Sequence, residues 1–402
     1  MLVAQLFSKI FKNDGIILVD YAGQKYICGN PVSNKPITVK LLKKNLNWKL
    51  VVNPDLSFPE AYMNGDIVIE NASLREFLDL AFKNIGRKEI TTSAYIIKKI
   101  FQLWRFLSNY NLPLKSKKDI QHHYDVGGQK GEKLYDIFLD KKHRQYSCAY
   151  FKNSNETLEQ AQQNKIDHII KKLNIKPGQK ILDIGCGWGG LAFEMARQKQ
   201  CEVLGISLSE NQIKYCKEKA KEHNLDNQVR FELTDYRYAR GKFDRIVSVG
   251  MAEHIGKKFY KTYFKKINDL LKDDGIGLVH TIGSIDHPQP PAPFIQKYIF
   301  PGGIVPSLSD LISPIEKTGL IVNDIETLIR HYDKTLEGWL SRFMSKRSEV
   351  KDLFGEKFVR CWEFYLASCA SAFKYRDLVV FQLQLVKNFD AIPSNRRDYI
   401  YS

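Results

Sequence analysis

Residues 181–190 read ILDIGCGWGG, the stretch whose residue types and spacing point most directly to ligand chemistry. An acid, Asp183, stands two residues before Gly185, and Gly187 and Gly189 follow at alternate positions. Glycines permit a tight turn and let a ligand reach the backbone, and a helix after the turn offers free N–H groups. Two ligand classes use such a turn: dinucleotides and S-adenosylmethionine. The dinucleotide fingerprint spaces its glycines G-x-G-x-x-G and carries its acid ~20 residues further on. Here the spacing is G-x-G-x-G and the acid lies just before it. A carboxylate in that place repels a pyrophosphate and attracts the ammonium end of a methionine moiety, so the pattern favours S-adenosylmethionine. The cofactor's ribose needs a hydroxyl-binding group near the end of the second strand, where an acid is common. This chain has Ser207-Leu208-Ser209-Glu210-Asn211-Gln212 there. Gln212 or Ser207 must serve, or Glu210 if the strand ends late. Asp235 follows the third strand, where the adenine amino group would lie.

The elements that must hold these residues follow from periodicity. Strands are predicted at Lys180–Ile184, Glu202–Ile206, Val229–Leu233, Phe243–Val249 and Gly277–Thr281. Helices are predicted between them at Leu191–Arg197, Glu210–Glu222 and Phe259–Lys272. Strands alternating with helices imply a doubly wound, parallel α/β sheet. Phe381, Leu383 and Leu385 alternate with Gln382 and Gln384, which suits an antiparallel edge strand. Asp286–Pro306 is rich in Pro and Gly yet holds Phe294, Ile295, Tyr298, Ile299 and Phe300, so it reads as a substrate-covering insertion. Residues 1–110 read as a separate α+β unit. It has an amphipathic first helix carrying Leu2, Leu6, Ile10 and Phe11 on one face. Strands follow at Gly15–Tyr21, Lys25–Gly29, Ile37–Lys40, Lys49–Val52 and Asp66–Glu70, and helices at Ser73–Asn84 and Ala94–Ser108. Residues 111–122, containing KSKKD, read as a linker, 123–402 as the catalytic domain, and 284–345 as its acyl-covering insertion.

Composition sets the outer limits. The 402 residues carry 61 Lys and Arg against 45 Asp and Glu, a net charge of +16. Such an excess favours a polyanionic partner, either nucleic acid or an anionic membrane surface. No apolar run approaches the roughly 18–20 residues of a membrane span. The start, MLVAQLFSKIFKNDG, is broken by Lys9 and Lys12 and does not read as a secretion signal. Membrane contact is therefore expected to be peripheral. The seven cysteines are dispersed without a CxxC pair, which suits a reducing cytoplasm and gives no support for a metal site.

Six segments occur in a telling order: YSCAYF (146–151), LDIGCGWGGLA (182–192), FDRIVSVGMAEHIG (243–256), HTIG (280–283), YIFPGG (298–303) and HYDKTL (331–336). Together they resemble the cyclopropane-fatty-acyl-phospholipid synthases and the related mycolic acid methyltransferases, over about residues 120 to 385. The first 110 residues are similar in layout to the lipid-binding N-terminal domain of the full-length synthases. The resemblance implies a class I S-adenosylmethionine-dependent methyltransferase fold. The reaction it implies begins when a cis double bond of a phospholipid acyl chain attacks the sulfonium methyl. The resulting cation loses a proton to a bound bicarbonate ion and closes to a cyclopropane. It also implies that Cys148, Glu253, His280, Ile282 and Tyr332 form the bicarbonate cage. Cys148 and Ile282 would donate backbone N–H groups, His280 and Tyr332 would donate from side chains, and Glu253 would accept the hydrogen of the anion. Tyr146, Ser147 and Tyr236 join Asp183, Gly185, Gly187, Gly189, Ser207, Gln212 and Asp235 as implied cofactor contacts. Aromatic faces stabilise cations, and the motif aromatics Tyr146, Tyr150, Phe151 and Tyr332 are candidates for that role.

Two departures stand out. The stretch from HHYD to YSCAY is longer than the family pattern, placing Cys148 24 positions after Tyr124, and Ala252 replaces a residue that is often aromatic. The smaller side chain leaves room for a different outcome, a methyl-branched or methylene product. The expected partners are unsaturated phospholipid acyl chains and an anionic membrane surface, with a cytoplasmic enzyme held peripherally at the inner membrane and self-association as a homodimer left open. A nucleic-acid methyltransferase is the alternative from another class, but no recognition helix, RNA-binding signature or zinc spacing accompanies the basic charge.

Overall fold

The computed structural model describes residues 1–12, 14–86, 131–286 and 292–401. The expected helix at Ala94–Ser108, the linker and the HHYD segment lie outside them. In chain order the elements are α1 (Leu2–Ile10), β1 (Ile16–Val19), β2 (Lys25–Cys28), β3 (Thr38–Leu41), α2 (Leu46–Val52), α3 (Pro54–Met63), β4 (Ile67–Glu70) and α4 (Leu74–Ile85). Then come α5 (Gly131–Phe138), α6 (Leu158–Leu173), β5 (Lys180–Ile184), α7 (Gly190–Lys199), β6 (Glu202–Ser207), α8 (Glu210–Glu222), β7 (Val229–Leu233), β8 (Phe243–Val249), α9 (Tyr260–Leu270) and β9 (Leu271–Ser284). The last are α10 (Leu308–Glu316), β10 (Ile321–Leu328), α11 (Tyr332–Ser345), α12 (Arg347–Phe354), α13 (Glu356–Tyr375), β11 (Leu378–Val386) and α14 (Asp398–Tyr401).

Two compact units emerge. One draws its described residues from 1–109, 290–301 and 336–378, the other from 110–289, 302–335 and 379–402. This differs from a division drawn along the chain, because two segments of the C-terminal half fold with the N-terminal residues.

The first unit carries a four-stranded sheet in the order β2-β1-β3-β4, with β1 and β3 parallel and the other pairs antiparallel. Ser73 and Glu76 close a capping box at the start of α4, satisfying two orphan amides. Phe77 of α4 stacks on Phe58 of α3, and Phe58 in turn meets Phe364 of α13. Lys49–Val52, expected as a strand, belongs to helix α2. Leu46 and Leu50 are buried four residues apart while Trp48 and Val52 are exposed, a helical and not an alternating pattern. Of the face expected from sequence, Leu2 is exposed and Ile10 half-buried; the buried side of α1 is Val3, Leu6, Phe7 and Phe11, and it is spent inside the unit. It is therefore not free to lie on a membrane.

The second unit has a seven-stranded sheet in the order β10-β11-β9-β8-β5-β6-β7. The five strands from β9 to β7 are mutually parallel. Alternating side chains divide between two faces. Ile181 and Val247 join Ile169 of α6, Met195 of α7 and Ile213 of α8 in one apolar layer. Leu182, Ile184 and Ile246 join Tyr263 and Phe264 of α9 and Leu311 of α10 in the other. The alternating strand at 381–385 is β11 and is antiparallel to its neighbour β10, as expected, but β10 is the edge. The glutamines read as solvent-facing are buried: Gln382 donates toward His280 and Gln384 to the Lys172 carbonyl. Among the described residues no helix is long and apolar enough to cross a membrane.

Candidate active site

The glycine turn runs from the end of β5 into α7. Gly185, Gly187 and Gly189 all adopt positive φ, at 83°, 55° and 80°. A β-carbon on Gly187 would meet nothing within 4 Å, so this glycine leaves the backbone open to a ligand. Gly189 serves packing, since a β-carbon there would lie 2.9 Å from Phe193 and 3.0 Å from Cys216 Sγ. At Gly190 a β-carbon would strike the His143 carbonyl oxygen. Gly190→Ala should therefore destabilise the fold by about 1–3 kcal/mol, the range for forced overpacking. It should also push residues 143–147 off the site, which a thermal melt and an S-adenosylmethionine titration would both register.

The turn faces a pocket lined by Tyr146, Ser147, Asp183, Gly185, Gly187, Ser207, Gln212 and Tyr236. Two expected cofactor residues lie outside this lining. Gly189 is used as above. Asp235 has its carboxylate taken by Arg237, with Oδ1 accepting from Nε at 2.8 Å and from the Arg237 amide at 2.9 Å. Of the three candidates for the ribose, Ser207 and Gln212 line the pocket and are bonded to one another at 2.9 Å, whereas Glu210 does not line it. Trp188, Met251 and His254 also line it and were not singled out from sequence. Arg144 lies over the Trp188 ring at 3.9 Å.

Asp183 is the electrostatic centre. It is 2 % exposed, and its Oδ2 is buried without a hydrogen-bond partner. Burial pushes its pKa up to about 7, with the charge of Lys165 working against the rise. Lys165, on α6, is fully buried. Its ammonium donates to Gln145 Oε1 and, at 3.0 Å, to Ser147 Oγ, and burial holds its pKa down to about 8. An orphaned buried acceptor is costly unless a ligand meets it. The acid, the open glycine and the two ribose candidates thus fit a cationic, ribose-bearing cofactor.

A second polar group lies where the C-terminal ends of β8 and β9 meet the middle of β11. Glu253, in the turn after β8, accepts at Oε1 from the Ile282 amide at 2.6 Å, while its Oε2 is buried without a partner. Ile282 was expected to give its N–H to an anion; in the structure that N–H orients the carboxylate. Burial pushes Glu253 up to about 7. His280 is buried and held well below its ordinary pKa by desolvation, so its ring is neutral. Its Nδ1 lies 3.1 Å from Gln382 Nε2, which places the ring proton on Nε2 when the amide donates. Gln382 was missed because a polar residue in an alternating strand reads as a solvent face.

Cys148 and Tyr332 are brought together through their neighbours. The Ala149 amide donates to Thr335 Oγ1 at 3.1 Å and the Phe151 amide to His331 Nδ1 at 3.1 Å. Burial raises the Cys148 thiol far above its ordinary range, so it is not a nucleophile. The residues expected to form the cage, Cys148 and Tyr332 on one side and Glu253, Ile282 and His280 on the other, all belong to the second unit. Both faces of the Tyr150 ring are covered by imidazoles, His168 at 4.4 Å and His331 at 4.8 Å. It is thus removed from the candidates for shielding a cation. Tyr263 packs edge-on against Tyr236 beside the pocket instead.

Sheet order, glycine turn and pocket define a class I S-adenosylmethionine-dependent methyltransferase fold. The family profile described as "Mycolic acid cyclopropane synthetase" matches residues 113–383. The chain is 42% identical over 276 residues to the cyclopropane-fatty-acyl-phospholipid synthase of Escherichia coli K12, covering 68% of this chain and 69% of that one. It is 38% identical over 277 residues to a probable fatty acid methyltransferase of Pseudomonas putida, covering 67% and 69%. The crystal structure of mycolic acid cyclopropane synthase CmaA1 complexed with SAH and CTAB matches with a TM-score of 0.63 at 31% identity, covering 67% of this chain and 97% of that one. The chain belongs to the mycolic acid cyclopropane synthetase family.

Proposed function

We propose that the protein transfers a methylene unit from S-adenosylmethionine to cis double bonds of phospholipid acyl chains, forming cyclopropane fatty acids at an anionic membrane surface. The observation that carries this reading is the pairing of two buried polar centres in one α/β unit. These are an orphaned acid at an open glycine turn, and Glu253, whose Oε2 is orphaned and whose Oε1 is held by the Ile282 amide two residues after the neutral His280. S-adenosylmethionine supplies a methyl group made electrophilic by its sulfonium. Asp183 would hold its ammonium group, Ser207 and Gln212 its ribose, and Tyr146, Ser147 and Tyr236 the walls around it. Asp235 acts at one remove, capping the turn that presents Tyr236.

An alkene is a weak nucleophile, so the chain's task is to hold it against the methyl group in a site that excludes water. Burial keeps the Cys148 thiol protonated and makes the His280 imidazole a poor base. Glu253, at about 7, would be taken up by the hydrogen of the anion, which supports a bound bicarbonate as the proton acceptor. Glu253, His280, Tyr332 and the backbone of Cys148 would hold it, with Ile282 fixing the Glu253 carboxylate. An anion so held has several donors and one acceptor, which offsets its burial.

A second reading, a methyl-branched or methylene acyl product, is favoured by Ala252, a small buried residue one position before Glu253. The test of acceptor class is direct. With methyl-labelled S-adenosylmethionine, label should enter vesicles of unsaturated phospholipid and not those of saturated phospholipid. Label that goes instead to RNA, DNA or a headgroup would overturn the reading.

A further inference from the structure

Residues 21–54 contain six lysines, at 25, 35, 40, 43, 44 and 49, and no Asp or Glu. The same stretch holds six of the thirteen exposed large hydrophobic side chains among the described residues: Tyr21, Ile27, Val32, Leu42, Trp48 and Val52. Lysines, of which Lys40 pairs with Glu70 and Lys43 with Asp66, and exposed apolar side chains thus coincide in one short part of the first unit.

They are densest at helix α2 and the turn before it. Trp48 and Val52, four residues apart, share the outer face of α2, opposite the buried Leu46 and Leu50. Leu42 is exposed in the preceding turn, and Lys44 stands one helical turn before Trp48. Leu2, also exposed, is brought alongside because the Val3 amide donates to Asn47 Oδ1 at 3.2 Å. Lys43 pairs with Asp66 at 2.9 Å, whereas Lys44 and Lys49 make no ion pair among the described residues.

We propose that this surface, Leu42, Trp48, Val52 and Leu2 ringed by Lys44 and Lys49, is where the protein docks on a bilayer of anionic phospholipid. The inference rests on the lipid-substrate reading above and adds its place of contact. The chemistry selects the partner. Tryptophan favours the headgroup level, with an apolar ring and one donor. Short aliphatic side chains enter the acyl boundary, and lysines beside them meet the negative surface potential. The arrangement takes only Leu2 from α1, whose apolar side chains Val3, Leu6 and Phe7 are internal.

The experiment uses the full chain with vesicles of dioleoyl phosphatidylglycerol and dioleoyl phosphatidylcholine in equal parts. Tryptophan emission should shift to the blue on binding, and Trp48→Phe should abolish the shift. In co-sedimentation, Lys44→Glu/Lys49→Glu should weaken binding at least ~25-fold, at about fivefold per lysine. The control Lys214→Glu/Lys217→Glu, exposed positions on α8 with the same change in net charge, should weaken it far less. Both doubles should turn over detergent-dispersed unsaturated lipid at the parent rate. If the two doubles weaken binding equally, attraction is to total charge, and this surface is wrong while the lipid reading stands. An emission shift that survives in Trp48→Phe also overturns the surface. If the parent fails to bind anionic vesicles at all, the surface and the membrane part of the reading fall together, and turnover of dispersed lipid then decides the remainder.

Discussion

Replacing Glu253 with Gln is expected to lower turnover roughly 100- to 10,000-fold, the range for losing a group that assists proton transfer. The affinity for S-adenosylmethionine should stay within a few-fold of the parent, because Glu253 is not among the residues lining the cofactor pocket. The amide can still accept from the Ile282 N–H, so the local fold survives; what is lost is the anionic oxygen. Stability supplies an independent readout. The folded-state pKa of Glu253 is raised from 4.5 to about 7, so the folded protein holds a proton there that the unfolded chain has already lost. Stability from this group is full below about pH 4.5 and declines as pH rises through 7. Glu253→Gln should flatten that part of the stability profile, measured as melting temperature against pH. A variant that melts normally, keeps its pH slope and turns over like the parent would remove Glu253 from the chemistry.

The second large effect falls on Asp183. Asp183→Asn should weaken S-adenosylmethionine binding roughly 10- to 100-fold, as expected when a charge-assisted bond to an ammonium group is lost. The parent's affinity should rise with pH through about 7, because the carboxyl must lose its proton to meet a cation. The variant should lose that dependence. Lys165 gives the upper limb its shape. It stands at about 8 and contributes a charge that lowers the Asp183 pKa, and above that pH the loss of this charge also weakens its hydrogen bonds to Gln145 and Ser147. Calorimetric titrations at several pH values separate the two groups. An affinity that is flat across this range in the parent would show that Asp183 does not face the ammonium.

The parts of this site that were legible in sequence are those with local signatures. Asp183 and its glycines sit at fixed spacing, and strand β5, turn and α7 follow from one apolar run meeting a helical period. Glu253, His280 and Ile282 could be named only through resemblance, because their meeting depends on β8 and β9 lying side by side. Lys165 escaped because lysine on a helix normally reads as solvated. Its position four residues after Ala161 and four before Ile169, both buried, was the available signal. Gln382 and Gln384 misled for the opposite reason: alternation in β11 records two buried faces, one of them polar. Edge strand β10 mixes Asn323, Asp324 and Glu326 with aliphatic residues and has no clean period. Its Glu326 is committed to Lys172 at 2.5 Å and to His168 at 2.6 Å, contacts that only the folded sheet creates.

The ring is the feature that separates this account from its nearest rival. Cyclopropane and methylene products both add one CH2 to the acyl chain, so mass alone does not distinguish them, while a saturated methyl branch also needs a hydride. The decisive measurement is the proton NMR spectrum of fatty acids recovered after the purified protein has acted on dioleoyl phosphatidylglycerol vesicles with S-adenosylmethionine. The account predicts high-field cyclopropane methylene protons appearing as the olefinic signal falls. A product with vinylidene or branched-methyl signals and no high-field resonance would contradict it.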